Sequence, residues 1–344
     1  MFPISAADAI SPAVRRTRDF LFRPFRPGTY VKLCLVALLT EGIGGNFSSH
    51  GGRASNRAPS LSSPFALTPE SIAALVAVSL LLVLLVLFLY YLVTRLRFAY
   101  FHCLIHNTRE IRPGWHLYRA QAVRFFWLNL VVGCCFLLLV ALVALPFAAG
   151  FWGLFRNLAA GGHPDVGSIL ALVLPLVPII LLVVLAAFAV DVVLRDFVLP
   201  HYALENATAG QAWAAVWARI RAEKVPFFHY ALLRVVLPLV ALIALFIVLI
   251  LPTIIFVALV AAIEVGIHAA FSGASGAAAG MGIILGVLVG VVAFAVAVLV
   301  WIGFGGPVST AIREYALLFY GGRYQPLGNI LSPPGPGMNA PGMA

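Results

Sequence analysis

Six long apolar runs constrain this chain more than any other feature of its sequence. A helix needs roughly 20 apolar residues to cross the hydrocarbon core of a bilayer, and most of the runs are near that length. Lipid offers the backbone no hydrogen-bond partners, so runs of this kind must form helices. The sequence therefore predicts an all-α integral membrane protein with six transmembrane helices, at 30–47, 72–93, 126–147, 169–193, 231–263 and 281–304.

The charge content argues against a soluble fold. Charged residues make up only 10% of the chain, whereas a soluble domain has about 25%, so they are too few to cover a water-facing surface. The net charge of +10 would suggest nucleic acid as a partner of a soluble protein. Next to apolar spans, anionic head groups explain it better, so we predict membrane lipids as partners and no nucleic acid.

Two of the runs depart from a simple span. The first contains Glu41 and ends in a glycine-rich stretch, which makes it marginal. The fifth is longer than one crossing requires and contains Pro238 and Pro252. The sequence leaves open whether this run tilts or breaks at Pro252.

The basic residues alternate between the two sides of the predicted bundle. One set of segments holds most of them, namely Arg15, Arg16, Arg18, Arg23 and Arg26; Arg95, Arg97, Arg109, Arg112, Arg119 and Arg124; Arg195, Arg219, Arg221 and Lys224; and Arg313 and Arg323. The other loops hold only Arg53, Arg57 and Arg156. Cytoplasmic loops carry the excess of arginine and lysine, so both termini are predicted to be cytoplasmic.

These observations divide the chain into three parts. We predict a cytoplasmic basic amphipathic segment at 1–29, a six-span membrane domain at 30–320 and a disordered Pro/Gly-rich cytoplasmic tail at 321–344. Three cytoplasmic segments, at 11–25, 115–127 and 208–224, combine aromatic residues with arginine or lysine. This pattern favours amphipathic helices in the head-group plane, with short helices packed on cytoplasmic loops as the alternative.

The ends of the second, fourth and sixth runs resemble one another. Arg97, Arg195 and Arg313 each follow an aliphatic residue, and an aromatic residue comes within two positions after them. The pattern suggests three similar hairpins around an axis near the membrane normal. Three arginines at equal depth would form a ring that binds anionic head groups. The alternative is that arginine beside an aromatic residue is common at any cytoplasmic helix end.

Three acidic residues in or near the spans are candidates for function, because buried charges in membranes are costly. Asp191 precedes Arg195 by four residues, so the two can pair on one helix face. Asp196 could pair with an arginine of another hairpin. An ion-pair network that holds the bundle together is the alternative for both. Glu41 has no partner nearby in sequence, so it is either a substrate or proton site or the end of the first span.

Gly282, Gly286 and Gly290 are four residues apart in the sixth run. Such a stripe of small residues allows another helix to approach closely. The sequence does not decide whether that helix belongs to the same chain, to a second copy or to another membrane protein.

His102, His106 and Glu110 are also four residues apart. On one helix they would share a face, and histidines at this spacing can bind zinc. Arg109 and Arg112 nearby would oppose a cation, so a polar stripe on a cytoplasmic helix is the preferred interpretation. We predict no metal and no cofactor.

Motifs of soluble enzymes are missing from the sequence. It contains no phosphate-binding loop and no GxSxG motif, and no segment outside the runs is long enough to bury its own core. We therefore predict a protein that is not an enzyme. An intramembrane enzyme that uses Glu41 or the two histidines remains a minor alternative, because no complete set of catalytic roles can be assigned.

The chain resembles a group of bacterial membrane proteins. The segment from Arg18 to Phe25 precedes a glycine-containing first run, later runs end in Arg-Asp-Phe-like motifs, and a tryptophan-bearing segment lies around Trp213. Over 11–320 these features are similar to uncharacterised proteins related to the membrane domain attached to some glycerophosphoryl diester phosphodiesterases. The resemblance implies a bacterial inner-membrane protein and carries over no catalytic residues.

Together these features lead to two expectations about function. The first is a non-enzymatic inner-membrane protein that binds or helps move lipids or small amphiphiles, because of the arginine ring and the interfacial helices. The second is a scaffold or accessory subunit of a membrane complex, because of the glycine stripe and the absence of a recognisable site.

Overall fold

The computed structural model describes residues 4–42, 69–159, 165–273 and 275–332, and every regular element within these ranges is helical. The α-helices are α1 (Ile10–Phe22), α2 (Pro27–Gly42), α3 (Pro69–His106), α4 (Ile111–Leu117), α5 (Arg119–Ala159), α6 (Val166–Val192), α7 (Leu199–Leu204), α8 (Ala209–Ala222), α9 (Lys224–Phe271), α10 (Ala277–Gly321) and α11 (Gln325–Leu331). A π-helical segment, Val193–Val198, joins α6 to α7.

Five helical stretches in the described ranges are long and apolar enough to cross a membrane, namely Ile72–His106, Arg119–Leu158, Val166–Leu204, Lys224–Phe271 and Ala277–Gly321. Their apolar side chains are largely exposed in the single chain, as the 68–70% exposure of Leu81, Leu138 and Leu182 illustrates. Such surfaces suit hydrocarbon as a solvent. The chain is thus an all-α protein with five helices suited to a membrane.

The long helices continue past the apolar runs that predicted them. The sixth run ends at 304, but α10 continues to Gly321 and buries most side chains of its last two turns, including Tyr315 and Phe319. At 48 residues, α9 has a length of about 72 Å, since each residue adds 1.5 Å. It is continuous through Pro238 and Pro252, so the fifth run does not break at Pro252.

The described helices fall into two compact units. Unit 1 lies within Met1–Ile43, Cys103–Arg109 and Ile220–Ala344, and unit 2 lies within Gly44–His102 and Glu110–Arg219. In unit 1, α10 is the central element and contacts α1, α2, α9 and α11. In unit 2, α5 contacts α6 and α7.

The first predicted span forms α2, which is not among the five. The helix has 16 residues and a length of about 24 Å, less than the ~30 Å of hydrocarbon in a bilayer. The helices α2 and α10 run parallel. Tyr30, near the start of α2, contacts Gly303, and Glu41, near its end, contacts Arg313 farther along α10. Six spans require the first and the last to run in opposite directions. The described part of α2 therefore does not make the first crossing in the way the sequence predicted.

The prediction of a disordered tail over 321–344 is wrong for its first part. Gln325–Leu331 forms α11, and Leu327 is fully buried. The side chain of Leu331 packs against Gly321, where a Cβ atom would lie 2.8 Å from its Cδ1. These apolar contacts give a proline- and glycine-containing segment enough burial to fold. Residues 333–344 lie outside the described residues.

The three predicted interfacial segments are helical to different extents. The first forms α1, and the third forms α8, where the backbone N–H of Thr208 donates to Oε1 of Gln211 at 3.1 Å in a capping arrangement. The second is interrupted between α4 and α5. On α8, Trp213 and Trp217 are 40% and 45% exposed, as a helix in the head-group plane requires.

Candidate functional site

A buried cluster of charges lies in unit 1 where α2, α9 and α10 meet. Nη2 of Arg234 donates to Oε2 of Glu41 at 3.1 Å, and Nε of Arg313 lies 3.8 Å from Oε1 of the same carboxylate. The three side chains are at most 8% exposed. We call these three residues the unit 1 cluster. One carboxylate in this cluster contacts two guanidinium groups.

A second ion pair adjoins the unit 1 cluster through the next residue of α10. Nε of Arg16 lies 3.0 Å from Oε2 of Glu314, whose side chain is only 1% exposed. Arg16 also donates to the carbonyl oxygen of Leu104 at 2.7 Å. A buried carboxylate requires such a charged partner, because an unpaired charge in the interior is very unfavourable. The pair therefore fixes α1 against α10.

Aromatic rings hold α9 and α10 together near the cluster. The ring of Tyr230 stacks on Tyr315 and Phe319, with centroids 5.3 Å and 4.4 Å away. The guanidinium of Arg323 lies 4.1 Å from the Phe319 ring centroid and 2.7 Å from Oε2 of Glu223. Stacked rings and cation–π contacts of this kind each stabilise a fold by about 1 kcal/mol.

Glycines of α10 set the position of α2 and thereby of Glu41. The hydroxyl of Tyr30 donates to the carbonyl oxygen of Gly303 at 2.6 Å. A Cβ atom at Gly306 would overlap Cβ of Cys34 and lie 2.6 Å from its Cα. The two helix backbones can therefore approach this closely only with glycine at position 306.

An apolar cleft of about 790 Å³ lies farther along α9 and α10. Its walls are aliphatic and aromatic side chains of both helices, including Leu242, Leu245, Phe246, Leu249, Pro252 and Phe256 of α9 and Val296, Ala297, Val300 and Trp301 of α10. The cleft lies within the apolar stretches of the two helices. An acyl chain suits such a lining, because the walls offer almost nothing to which a polar group could bind.

Unit 2 contains a different buried charge cluster, formed around the π-helical segment. Arg195 lies 3.8 Å from Oδ2 of Asp191 and 3.8 Å from Oδ1 of Asp196. Tyr90 lies within electrostatic range of Asp191 and of Arg97 in the same unit. We call Asp191, Arg195 and Asp196 the unit 2 cluster. Here one guanidinium contacts two carboxylates.

The three arginines of the predicted ring are buried, and their role as a head-group site stays a prediction. Arg97, Arg195 and Arg313 are 4%, 5% and 2% exposed. Arg195 and Arg313 contact carboxylates, the former in unit 2 and the latter in unit 1. The predicted pairing of Asp191 with Arg195 is confirmed, and Asp196 contacts the adjacent Arg195. The threefold repeat stays a prediction.

The three candidate metal ligands do not all lie on one helix, because His102 and His106 belong to α3 and Glu110 does not. The helix α3 ends at His106, Asn107 follows with φ of 52°, and Glu110 precedes α4. The described residues contain no group of three or more histidine, cysteine or acidic side chains that could hold a metal ion. The helix whose spacing suggested a zinc site therefore ends before Glu110.

The glycine stripe of α10 packs mainly within the chain. A Cβ atom at Gly282 would lie 2.9 Å from Cβ of Phe271, and one at Gly286 would lie 3.0 Å from Oε2 of Glu264. Gly290 has open space on that side. Two of the three predicted packing residues therefore face α9 of the same chain.

Three parts of the site were not predicted as such. Arg234 lies inside an apolar run, and that position indicates a buried partner. The sequence prediction assigns no role to Glu314 or to the glycines at 303 and 306. The sequence Gly303-Phe304-Gly305-Gly306 is a usable signal, because small residues at a helix contact indicate close approach.

A comparison with known families yields one match. The profile of a family described as "Family of unknown function (DUF7544)" matches residues 4–330. No curated protein and no solved structure matches the chain. The resemblance to the membrane domain of glycerophosphoryl diester phosphodiesterases therefore stays a prediction.

Proposed function

The chain belongs to DUF7544, a family of unknown function, and we propose that this member is a non-enzymatic membrane protein that binds or helps move lipids or small amphiphiles. The observation that carries the proposal is the arrangement of the unit 1 cluster and the apolar cleft along the same two helices. Arginine side chains followed along the same helices by an apolar cleft match the head and the chain of an amphiphile.

The dimensions support this arrangement. Leu242, which lines the near end of the cleft, follows Arg234 by eight residues of α9, a rise of about 12 Å. The cleft then continues to Phe256, a further rise of about 21 Å. One leaflet of a bilayer has a hydrocarbon thickness of about 15 Å. An acyl chain therefore fits along the cleft while its head group lies near the cluster.

The cellular location belongs to the same proposal. We expect a bacterial inner membrane, with both termini in the cytoplasm. In support, α1 and α11 both contact α10 within unit 1, and basic residues concentrate in the segments assigned to the cytoplasm. Termini on one side of a membrane require an even number of crossings, and the five long helices supply an odd number, so six crossings need one more crossing than those helices and the described part of α2 provide.

The location of the segment after α2 tests the number of crossings. A cysteine introduced at Ser49, in a chain whose four native cysteines are replaced, should react with an impermeant maleimide from the periplasm. Reaction only after the cytoplasmic side is opened would show that α2 returns to the cytoplasm and would overturn six crossings. A cysteine at Asn107 serves as the cytoplasmic control.

Native mass spectrometry of the purified chain tests the function. We expect a lipid or amphiphile bound in a fixed ratio after extraction in mild detergent. Ala297→Trp fills the cleft and should remove most of that ligand, whereas Ala141→Trp, on an exposed position of α5, should retain it. A bare wild-type chain, or equal loss in both variants, would contradict the proposal.

The alternative, a scaffold or accessory subunit, has less support after the site is described. Its main motivation was the glycine stripe, and Gly282 and Gly286 face α9 of the same chain. Isolation of the chain without bound lipid, but in a complex of fixed composition with a second membrane protein, would favour this alternative.

A further inference from the structure

Helices α1 and α2 both pack along the last part of α10, in opposite directions. Nη1 of Arg323 donates to the carbonyl oxygen of Ile4 at 3.0 Å, and Arg16 contacts Glu314, nine residues earlier on α10. The chain from Ile4 through α1 therefore runs antiparallel to α10, whereas α2 runs parallel to it. The residues that join the two helices turn back at the end nearest the apolar run of α10. We call residues 22–30 the corner.

The corner lies beside the end of the apolar run of α10. The hydroxyl of Tyr30 donates to the carbonyl oxygen of Gly303 at 2.6 Å, and the apolar run ends at 304. Glu314, the partner of Arg16, lies 11 residues farther along α10, a rise of about 16 Å. Because an apolar run of this length ends at the edge of the hydrocarbon, the corner lies at that edge and the start of α1 lies outside it.

Three aromatic rings form the surface of the corner. The rings of Phe22, Phe25 and Tyr30 have centroids 5.4 Å, 5.5 Å and 6.1 Å apart, and the first two residues are 43% and 55% exposed. At the same depth on α10, Trp301 and Phe304 are 56% and 46% exposed. A contiguous exposed apolar surface marks an interaction site, and tryptophan and tyrosine concentrate at the membrane–water interface. The corner therefore adds rings to an aromatic band at the edge of the hydrocarbon.

One arginine holds the backbone of the corner in place. Nε of Arg109 donates to the carbonyl oxygen of Phe20 at 3.1 Å, and Nη1 donates to that of Pro24 at 2.8 Å. Nη2 donates to the carbonyl oxygen of Arg23. A helix leaves its last carbonyl groups without partners inside the helix, and Arg109 supplies donors at this end of α1. A corner that is already ordered loses little conformational entropy when its rings enter a bilayer.

We propose that the corner is a membrane anchor, whose three aromatic rings insert at the boundary between hydrocarbon and head groups while Arg23 and Arg26 lie among the lipid phosphates. The side chain of Arg23 is 70% exposed, and its contact with Asp19 lies at the surface, where an ion pair is weak enough for a phosphate to compete. Long basic side chains beside apolar groups extend to the head groups in this way. The anchor differs from a helix that lies flat on the membrane, because only the end of α1 reaches the bilayer. It is independent of the proposed function, since it requires neither the cleft nor a bound amphiphile.

Site-directed spin labelling measures the depth of the corner. One nitroxide at a time is attached to Phe25→Cys or Val14→Cys, in a full chain whose four native cysteines are replaced, in vesicles of phosphatidylcholine and phosphatidylglycerol. Phe25 and Val14 are equally exposed, at 55% each, but Val14 lies in the half of α1 away from the corner. Collisions with oxygen and with a water-soluble nickel chelate give the depth of each label. We expect the label at 25 about 5–10 Å below the phosphates and the label at 14 in water.

Two outcomes of this experiment would overturn the anchor. Labels in water at both positions would place the corner outside the bilayer. Labels at equal depth below the phosphates would show that α1 lies flat in the head-group plane. Should the chain without native cysteines not fold, the native chain in nanodiscs is treated with a water-soluble carbene probe. The probe should modify the peptide around Val14 and spare residues 22–26, and equal modification of both would contradict the anchor.

The role of Arg109 has its own variant in the same assay. Arg109→Gln removes the donors to the three carbonyl groups, so the label at 25 should lie closer to water while the label at 14 is unchanged. Arg112→Gln, at an exposed position, is the matched control and should leave both depths unchanged. An unchanged depth at 25 in Arg109→Gln would refute the role of Arg109 in holding the corner.

Discussion

The two units bury charge clusters of opposite composition. In unit 1 one carboxylate, Glu41, contacts two arginines, and in unit 2 one arginine, Arg195, contacts two carboxylates. Both central groups are nearly excluded from solvent, with side-chain exposures of 8% and 6%. Both clusters therefore carry the cost of burying charge, and they differ in whether a carboxylate or a guanidinium is the shared group.

This difference separates a candidate binding site from a structural network. In unit 1 two arginines share one carboxylate, and the apolar cleft on α9 and α10 provides space for a chain. In unit 2 the central residue, Arg195, lies in the π-helical segment Val193–Val198. We expect the unit 2 cluster to hold α6 and α7 in place, although π-helical segments occur often at functional sites.

Removing the shared group of unit 2 should have the largest effect. Arg195→Gln leaves Asp191 and Asp196 close together without the guanidinium between them. Loss of one partner from a buried ion pair costs about 3–5 kcal/mol. Thermal and denaturant unfolding in detergent measures this loss. Arg18→Gln, an exposed arginine with 61% side-chain exposure, should change the free energy of unfolding by less than about 0.5 kcal/mol. Equal stability of the two variants would contradict a structural role for Arg195.

The same substitution in unit 1 should cost less. In Arg313→Gln, Glu41 retains Arg234 at 3.1 Å, so the carboxylate is not left without a charge partner. We expect a loss of about 1.5–3 kcal/mol, the value for a hydrogen bond to a charged group. The same unfolding assay applies. Suppose that Arg313→Gln lowers the free energy of unfolding more than Arg195→Gln does. The remaining contact between Glu41 and Arg234 then does not compensate for the loss of Arg313.

Alanine substitutions at two glycines of α10 test whether α2 packs against α10 and so positions Glu41. At Gly306 a methyl group would overlap Cys34, whereas at Gly303 nothing lies within 4 Å of an added Cβ. Gly306→Ala should lower the free energy of unfolding by about 1–3 kcal/mol through overpacking, and Gly303→Ala should leave it within about 0.5 kcal/mol of the wild type. If both variants are equally stable, α2 does not pack against α10 as described.

The smallest effect is expected at the rim of the unit 2 cluster. The side chain of Asp191 is 27% exposed, and Arg195 retains Asp196 when Asp191 is neutralised. Asp191→Asn should therefore cost less than about 1 kcal/mol, as for a partly exposed ion pair. A loss comparable to that of Arg195→Gln would mean that Asp191 is the principal partner of this arginine.

Much of the fold could be predicted from local sequence. The apolar runs after the first one predicted five long helices, because a continuous apolar stretch of bilayer length has few other stable structures. The pairing of Asp191 with Arg195 followed from helical spacing alone. Each of these features depends on residues that lie close together along the chain.

Features that depend on distant residues could not be predicted. The partner of Glu41 lies 193 positions away at Arg234, and nothing local indicates that pairing. The direction of α2 follows from its contacts with Gly303 and Gly306 of α10. The helix α11 forms because Leu327 is buried within unit 1, whereas the composition of the segment favoured disorder.

Photo-crosslinking with a phosphatidylglycerol that carries a diazirine near the end of one acyl chain tests the central claim most directly. After irradiation of the purified chain in lipid nanodiscs, peptide mapping locates the labelled residues. We expect labels concentrated on the cleft, at positions 242–256 of α9 and 296–301 of α10, and their loss in Ala297→Trp. Labels spread evenly over the exposed apolar faces of α3, α5 and α6, unchanged in that variant, would contradict it.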